Sequence, residues 1–162
     1  MTVDDFNKLL KPDRYQVFLF ACPAMLPFSF SAHCWFVINR KGNVSRVEVF
    51  WLPRLRWPLK WGHVHHDFYP LTQGVEVLPF SRTHFWRGVQ LLGSVEGGEG
   101  SLAQRMAECV ASSDGGYPFV SRYRLVGPNS NTYAQWVLNR FPESGLRLPW
   151  NAFGKEYVRH SA

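Results

Sequence analysis

The segment GPNSNTYAQWVLNRF, residues 127–141, runs through a Gly-Pro turn into a helix and places Ser130 at the helix start. A nucleophile there gains from unpaired backbone N–H groups and from the positive end of the helix dipole. The same N–H groups can hold an oxyanion. The pattern also reads as a plain helix cap made by Ser130 or Asn129. A base for such a serine has to come from elsewhere in the chain, and His33 in FSAHCWFVIN (30–39) is the first candidate. Cys34 beside it is a poor alternative nucleophile. Neighbouring strand side chains point to opposite faces, and Cys34 falls on the apolar one. Cys109, late in a helix, reads as core-facing or inert.

Two further stretches have chemistry-bearing composition. In HVHHD (63–67), His63 and His65 share a face if the segment is extended, but only Asp67 or His84 is at hand to complete a zinc set. We therefore expect loop histidines and no metal or other cofactor. PRLRWPLKW (53–61) interleaves Arg54, Arg56 and Lys60 with Trp57 and Trp61. That suits phosphate contacts with base stacking, a membrane surface, or a loop folded over a groove. No recognised nucleic-acid motif accompanies it, so nucleic acid is the less favoured partner.

The elements that position these residues are partly legible. Residues 15–22 (YQVFLFAC) and 30–39 read as strands, and 40–43 (RKGN) as a two-residue turn with Gly42 at its second central position. Residues 44–51 then return antiparallel. If Arg40 faces Asn43, Phe36 pairs with Val47 and Cys34 with Val49, which together with Phe30, Ala32 and Ile38 make an apolar core face. The other face carries Ser31, His33, Trp35 and Asn39 with Arg46, Glu48 and Phe50. Glu48 then lies one diagonal step from His33. Further along, 53–74 reads as an irregular excursion and 87–96 as a strand. Ser101 and Gln104 form a capping box for a helix that stops before Gly115. Residues 118–126 read as another strand, about 130–140 as a helix with Tyr133, Trp136 and Val137 on one face, and 146–157 as a loop-like tail.

A strand histidine followed much later by a helix-opening N-x-N-[TS]-[FY] resembles the circularly permuted branch of the papain-like (NlpC-type) superfamily. AHCWFVIN, GPNSNTYAQWVLNRF and LPWNAFGKEY together look like a bacterial family within it, over roughly residues 30–157. The resemblance implies an α+β fold, an antiparallel sheet with helices packed on it in the permuted papain-like arrangement. It also implies a cleft between the start of the later helix and the histidine strand. Ser130 takes the place of the usual cysteine. A serine hydroxyl is far less acidic than a thiol, so it needs a base as its proton leaves. His33 as that base, with Glu48 orienting its ring, would give a Ser–His–Glu arrangement. Asn129, Asn131, Tyr133 and Trp35 would shape the substrate site. The implied activity is acyl hydrolysis or transfer at an amide or ester, of amidase, peptidase or esterase type. The alternative is a relative that has lost catalysis and binds a peptide, glycan or lipid in the same cleft.

Composition sets the outer bounds. The 162 residues are 46% hydrophobic and 19% charged, a globular balance for one domain spanning 1–162. The 13 Phe, 7 Trp and 6 Tyr exceed what a small core holds, so some rings should line a groove. A net charge of +6 favours anionic partners. Three scattered cysteines make no disulfide framework, and Pro23 and Pro27 interrupt the apolar stretch 16–30. The expectation is a chain with no signal peptide and no membrane span, resident in the cytoplasm.

Overall fold

The computed structural model describes residues 2–50, 63–78, 88–120 and 123–160. Its first long strand, β1 (Tyr15–Pro23), is apolar without alternation, the pattern of a strand covered on both sides. It pairs antiparallel with β2 (Ala32–Arg40), which turns through Lys41 and Gly42 into β3 (Asn43–Val49). Both turn residues have positive φ, 52° and 91°, as a tight primed hairpin turn requires. Arg40 lies opposite Asn43 and Phe36 opposite Val47, as the turn chemistry predicts. A short β4 (Val64–His66) extends the edge beyond β3, and β5 (Gln90–Gly97) adds to the far side of β1. The sheet order is β4-β3-β2-β1-β5, antiparallel throughout.

One face carries Val17, Leu19, Cys34, Phe36, Ile38, Val47 and Val49 and is covered by α2 (Leu102–Ala111) and α3 (Ser130–Arg140). Ala103, Met106, Ala107 and Val110 give α2 its buried stripe. Ser101 caps it by accepting from the Gln104 N–H. The Gln104 side chain accepts instead from the Gly100 N–H, so the reciprocal half of the capping box falls one residue early. The opposite face is covered as well. Phe18, Phe20, Trp35 and Val37 pack with Phe6 of α1 (Val3–Asn7) and with Val75. That burial makes His33, Arg46 and Glu48 interior groups.

Three expectations need correction. Residues 64–66, read as part of an irregular excursion with loop histidines, form β4 against β3. Phe30 is not on the core face; β2 begins at Ala32, and the Phe30 ring is largely exposed against Phe28 and Phe153. Within 118–126 the described residues form turns and irregular backbone, not a strand. The Arg124 N–H donates to Pro128 and the Gly127 N–H to Arg124, so this backbone is satisfied locally and joins no ladder. Its aromatic and branched side chains, Phe119, Val120 and Tyr123, pack onto the edge of the first core cluster instead. The basic-aromatic stretch 53–61 and His84 lie outside the described residues. Among the described residues, no helix is long and apolar enough to cross a membrane.

Candidate functional site

The start of α3 is built by Asn129. Its side-chain oxygen accepts from the N–H groups of Asn131 and Thr132, and the Thr132 hydroxyl accepts from the Asn129 N–H. The Asn129 amide donates to the carbonyls of Arg124, Leu125 and Phe153. The cap is therefore Asn129, and Ser130 is the first helical residue. This consumes two of the first-turn N–H groups that could have bound an oxyanion and leaves that of Ser130.

The chain after residue 150 closes over this turn. Thr132 donates to the Gly154 carbonyl, and the Asn131 amide donates to the carbonyls of Ala32 and Phe153. These bonds tie the tail to the helix start and the helix start to β2. Both donors of the Asn131 amide are spent, and its buried side-chain oxygen has no partner. Glycine is required at 154. Its φ is +91°, and a Cβ there would stand 2.4 Å from the Asn129 amide nitrogen.

His33 is presented by β2 from the other side. Its Nε2 lies 2.8 Å from Glu48 Oε2 on β3, which realises the diagonal neighbour relation read from the hairpin. Arg46 Nη2 donates to the same oxygen at 2.9 Å, and its Nε stands 2.7 Å from Glu48 Oε1 as an ion-pair contact. Arg46 also donates to the carbonyls of Pro70 and Gln73 and lies 4.2 Å over the Trp35 ring. Arg46 and Glu48 are each 0% exposed. Burial pushes the Glu48 carboxyl pKa up, but the Arg46 charge and the hydrogen bonds from His33 and Arg46 outweigh it, and the net shift is downward. An ionised Glu48 only accepts, so the His33 Nε2 must carry a proton. In the neutral ring the basic nitrogen is then Nδ1.

Ser130 and His33 line one cavity of about 460 Å³. Asn129 and Asn131 stand in its wall, and most of the rest is apolar, including Met25, Leu26, Phe28, Phe50, Val75 and Leu125. Tyr123 also lines it. Burial drives its phenol up to about 12, with neighbouring Ser130 acting in the opposite direction.

A family model described as Protein of unknown function (DUF3750) matches residues 15–157. The chain belongs to this family. No curated protein and no solved structure matches it.

Of the residues singled out in this DUF3750 chain, Ser130, His33, Asn129 and Asn131 meet at the cavity, with Glu48 directly behind His33. Trp35 does not line it. Its ring stacks on Phe20 at 5.4 Å, its N–H donates to the Leu71 carbonyl, and it supports Arg46. Tyr133 is a core residue too, packed on Phe36, Tyr117 and Trp136 with its hydroxyl bonded to Ser113. Three residues past Ser130, it turns onto the sheet-facing side of the helix. Arg46, which pairs with Glu48, and Tyr123, which lines the cavity, are neighbours of the site that the motifs do not flag.

Burial raises the thiol pKa of Cys22 to about 12, and that of Cys34 is raised further by the same cause. His65 stacks on Phe50 at 4.3 Å, and burial lowers it to about 4. His66 pairs with Asp114 at 2.7 Å. Among the described residues, no three His, Cys, Asp or Glu side chains converge as a metal set.

Proposed function

We propose that the chain is an acyl hydrolase or acyltransferase of permuted papain-like arrangement, with Ser130 as nucleophile, His33 as base and Glu48 as the group that orients the ring. Support comes chiefly from one observation: the Arg46–Glu48–His33 chain of contacts ends in the same cavity that holds a serine at a helix N-terminus. The order of the residues along the chain and the antiparallel sheet under the helices agree with the resemblance noted above.

In this mechanism the Ser130 oxygen bonds to the carbonyl carbon of an ester or amide, and its proton passes to His33 Nδ1. Glu48 stabilises the resulting imidazolium, and the Ser130 N–H donates to the oxyanion. The tetrahedral species collapses, the leaving alcohol or amine takes the proton from His33, and the acyl group stays on Ser130. Water, or an acceptor alcohol or amine, then attacks the acyl-enzyme by the reverse proton path. The apolar wall favours an acyl group with a hydrocarbon chain.

The test is turnover of p-nitrophenyl esters of increasing chain length. Ser130→Ala should abolish it, His33→Ala should reduce kcat about 10²–10⁴-fold, and longer chains should lower KM. Equal rates for wild type and Ser130→Ala would refute the assignment.

The Asn129 cap takes two of the first-turn N–H groups that would serve an oxyanion, and this favours a second reading, a binding module that uses the cavity without turnover. That reading expects saturable ligand binding that survives Ser130→Ala, and no ester hydrolysis.

A further inference from the structure

The cavity opens through a surface that is itself apolar. Leu26, Phe28 and Leu125 line the cavity and are exposed as well. Phe28 meets Phe30 at 6.3 Å between ring centroids, and Phe30 meets Phe153 at 5.9 Å. Val126 is 73% exposed and Trp150 84%. Trp150 directly precedes Asn151, whose amide donates to the Phe30 carbonyl and whose carbonyl accepts from the Ala32 N–H, so its backbone is fixed beside this segment. The Asn129 amide, which bridges the Leu125 and Phe153 carbonyls, ties the third segment to the same place. Side chains this large, gathered around one opening, exceed the scattered apolar exposure of an ordinary surface.

Charge indicates what covers this surface. The three segments that form the mouth, 24–32, 123–130 and 149–155, contain two cations, Arg124 and Lys155, and no Asp or Glu; the first acidic residue beyond them is Glu156. Arg124 is exposed and lines the cavity. Aromatic and aliphatic tips with basic residues beside them, on a chain of net charge +6, match an anionic bilayer. The rings enter the boundary between headgroups and acyl chains while the cations meet phosphates. A second copy of this chain would instead oppose like charges across the same face.

We propose that the mouth formed by Phe28, Phe30, Leu125, Val126, Trp150 and Phe153 docks on the surface of an anionic phospholipid bilayer, so that the cavity opens directly onto lipid. The docking needs no turnover at Ser130, and it stands or falls separately from the catalytic reading.

The experiment is sedimentation of the full chain with vesicles of phosphatidylcholine alone and of phosphatidylcholine mixed with phosphatidylglycerol. Circular dichroism melts and sedimentation velocity are run on every variant. Wild type should bind the anionic vesicles and bind neutral ones more weakly. Trp150→Ser combined with Val126→Ser should weaken binding to both compositions about tenfold or more with the melt unchanged, because exposed apolar area is removed and no packed side chain is touched. Arg124→Gln should reduce the preference for anionic vesicles and make the remaining binding less sensitive to salt than that of wild type. Failure of wild type to bind either vesicle overturns the proposal. So does binding that the Trp150/Val126 variant retains in full, which would place the contact elsewhere. If that variant instead converts a dimer to a monomer and leaves vesicle binding unchanged, the face is an interface between copies and the proposal is wrong.

Discussion

Arg46→Met isolates the charge that holds the site together. In the wild-type chain two fully buried groups of opposite charge meet, and the carboxylate also accepts from His33. Removing the guanidinium leaves Glu48 as a buried charge without its main partner, which costs about 3–5 kcal/mol. The carbonyls of Pro70 and Gln73 lose their donor in the same step. For a chain of this size, such a loss lowers Tm by about 6–20 °C.

The pH dependence changes sign as well. In the wild type Glu48 is depressed below its ordinary value of 4.5, so its pairing contributes stability above that pH, which is lost as pH falls through the folded value. In Arg46→Met, burial is left opposed only by His33, and the Glu48 pKa moves above its ordinary value. The folded state then binds more protons than the unfolded one, and the variant loses stability as pH rises. Urea unfolding at about pH 4 and about pH 7 therefore should show a larger deficit at the higher pH. Arg46→Lys keeps a charge but lacks the planar fork, and should lose less than Arg46→Met. A deficit under about 1 kcal/mol, or an equal deficit at both pH values, would refute the reasoning.

The helix start offers two sharper tests. Gly154→Ala forces a positive φ on a side chain that meets the Asn129 amide, and urea unfolding should show a loss of about 2–4 kcal/mol. Asn129→Asp keeps an acceptor for the Asn131 and Thr132 N–H groups but turns a carboxylate toward three carbonyls. Stability should fall by about 2–4 kcal/mol, and a variant as stable as wild type would contradict the described cap.

Much of the site's framework is legible in the sequence, because period-two strands and a two-residue turn leave little freedom. Lys41-Gly42 sets the register, and the register places Glu48 beside His33. The role of Arg46 is harder to read. It shares a strand face with Glu48, but that face becomes interior only when Phe6 and Val75, far away in sequence and without strong periodicity, cover it. Tyr123 is hidden for another reason. PFVSRYRLV has strand composition, yet such composition reports fitness for a half-buried surface, and packing on the core meets that need without a ladder. The core position of Tyr133 is legible from helical spacing. It shares the apolar stripe with Trp136 and Val137, and that stripe faces the sheet.

The central claim is that Ser130 is a nucleophile served by His33. The most direct measurement is intact-protein mass after reaction with an alkyl fluorophosphonate, with the adduct mapped by peptide sequencing, on wild type, Ser130→Ala and His33→Ala. The account predicts one adduct on Ser130, absent in Ser130→Ala and formed far more slowly in His33→Ala. No adduct on wild type, or an adduct on Ser130 that forms equally fast without His33, would contradict it.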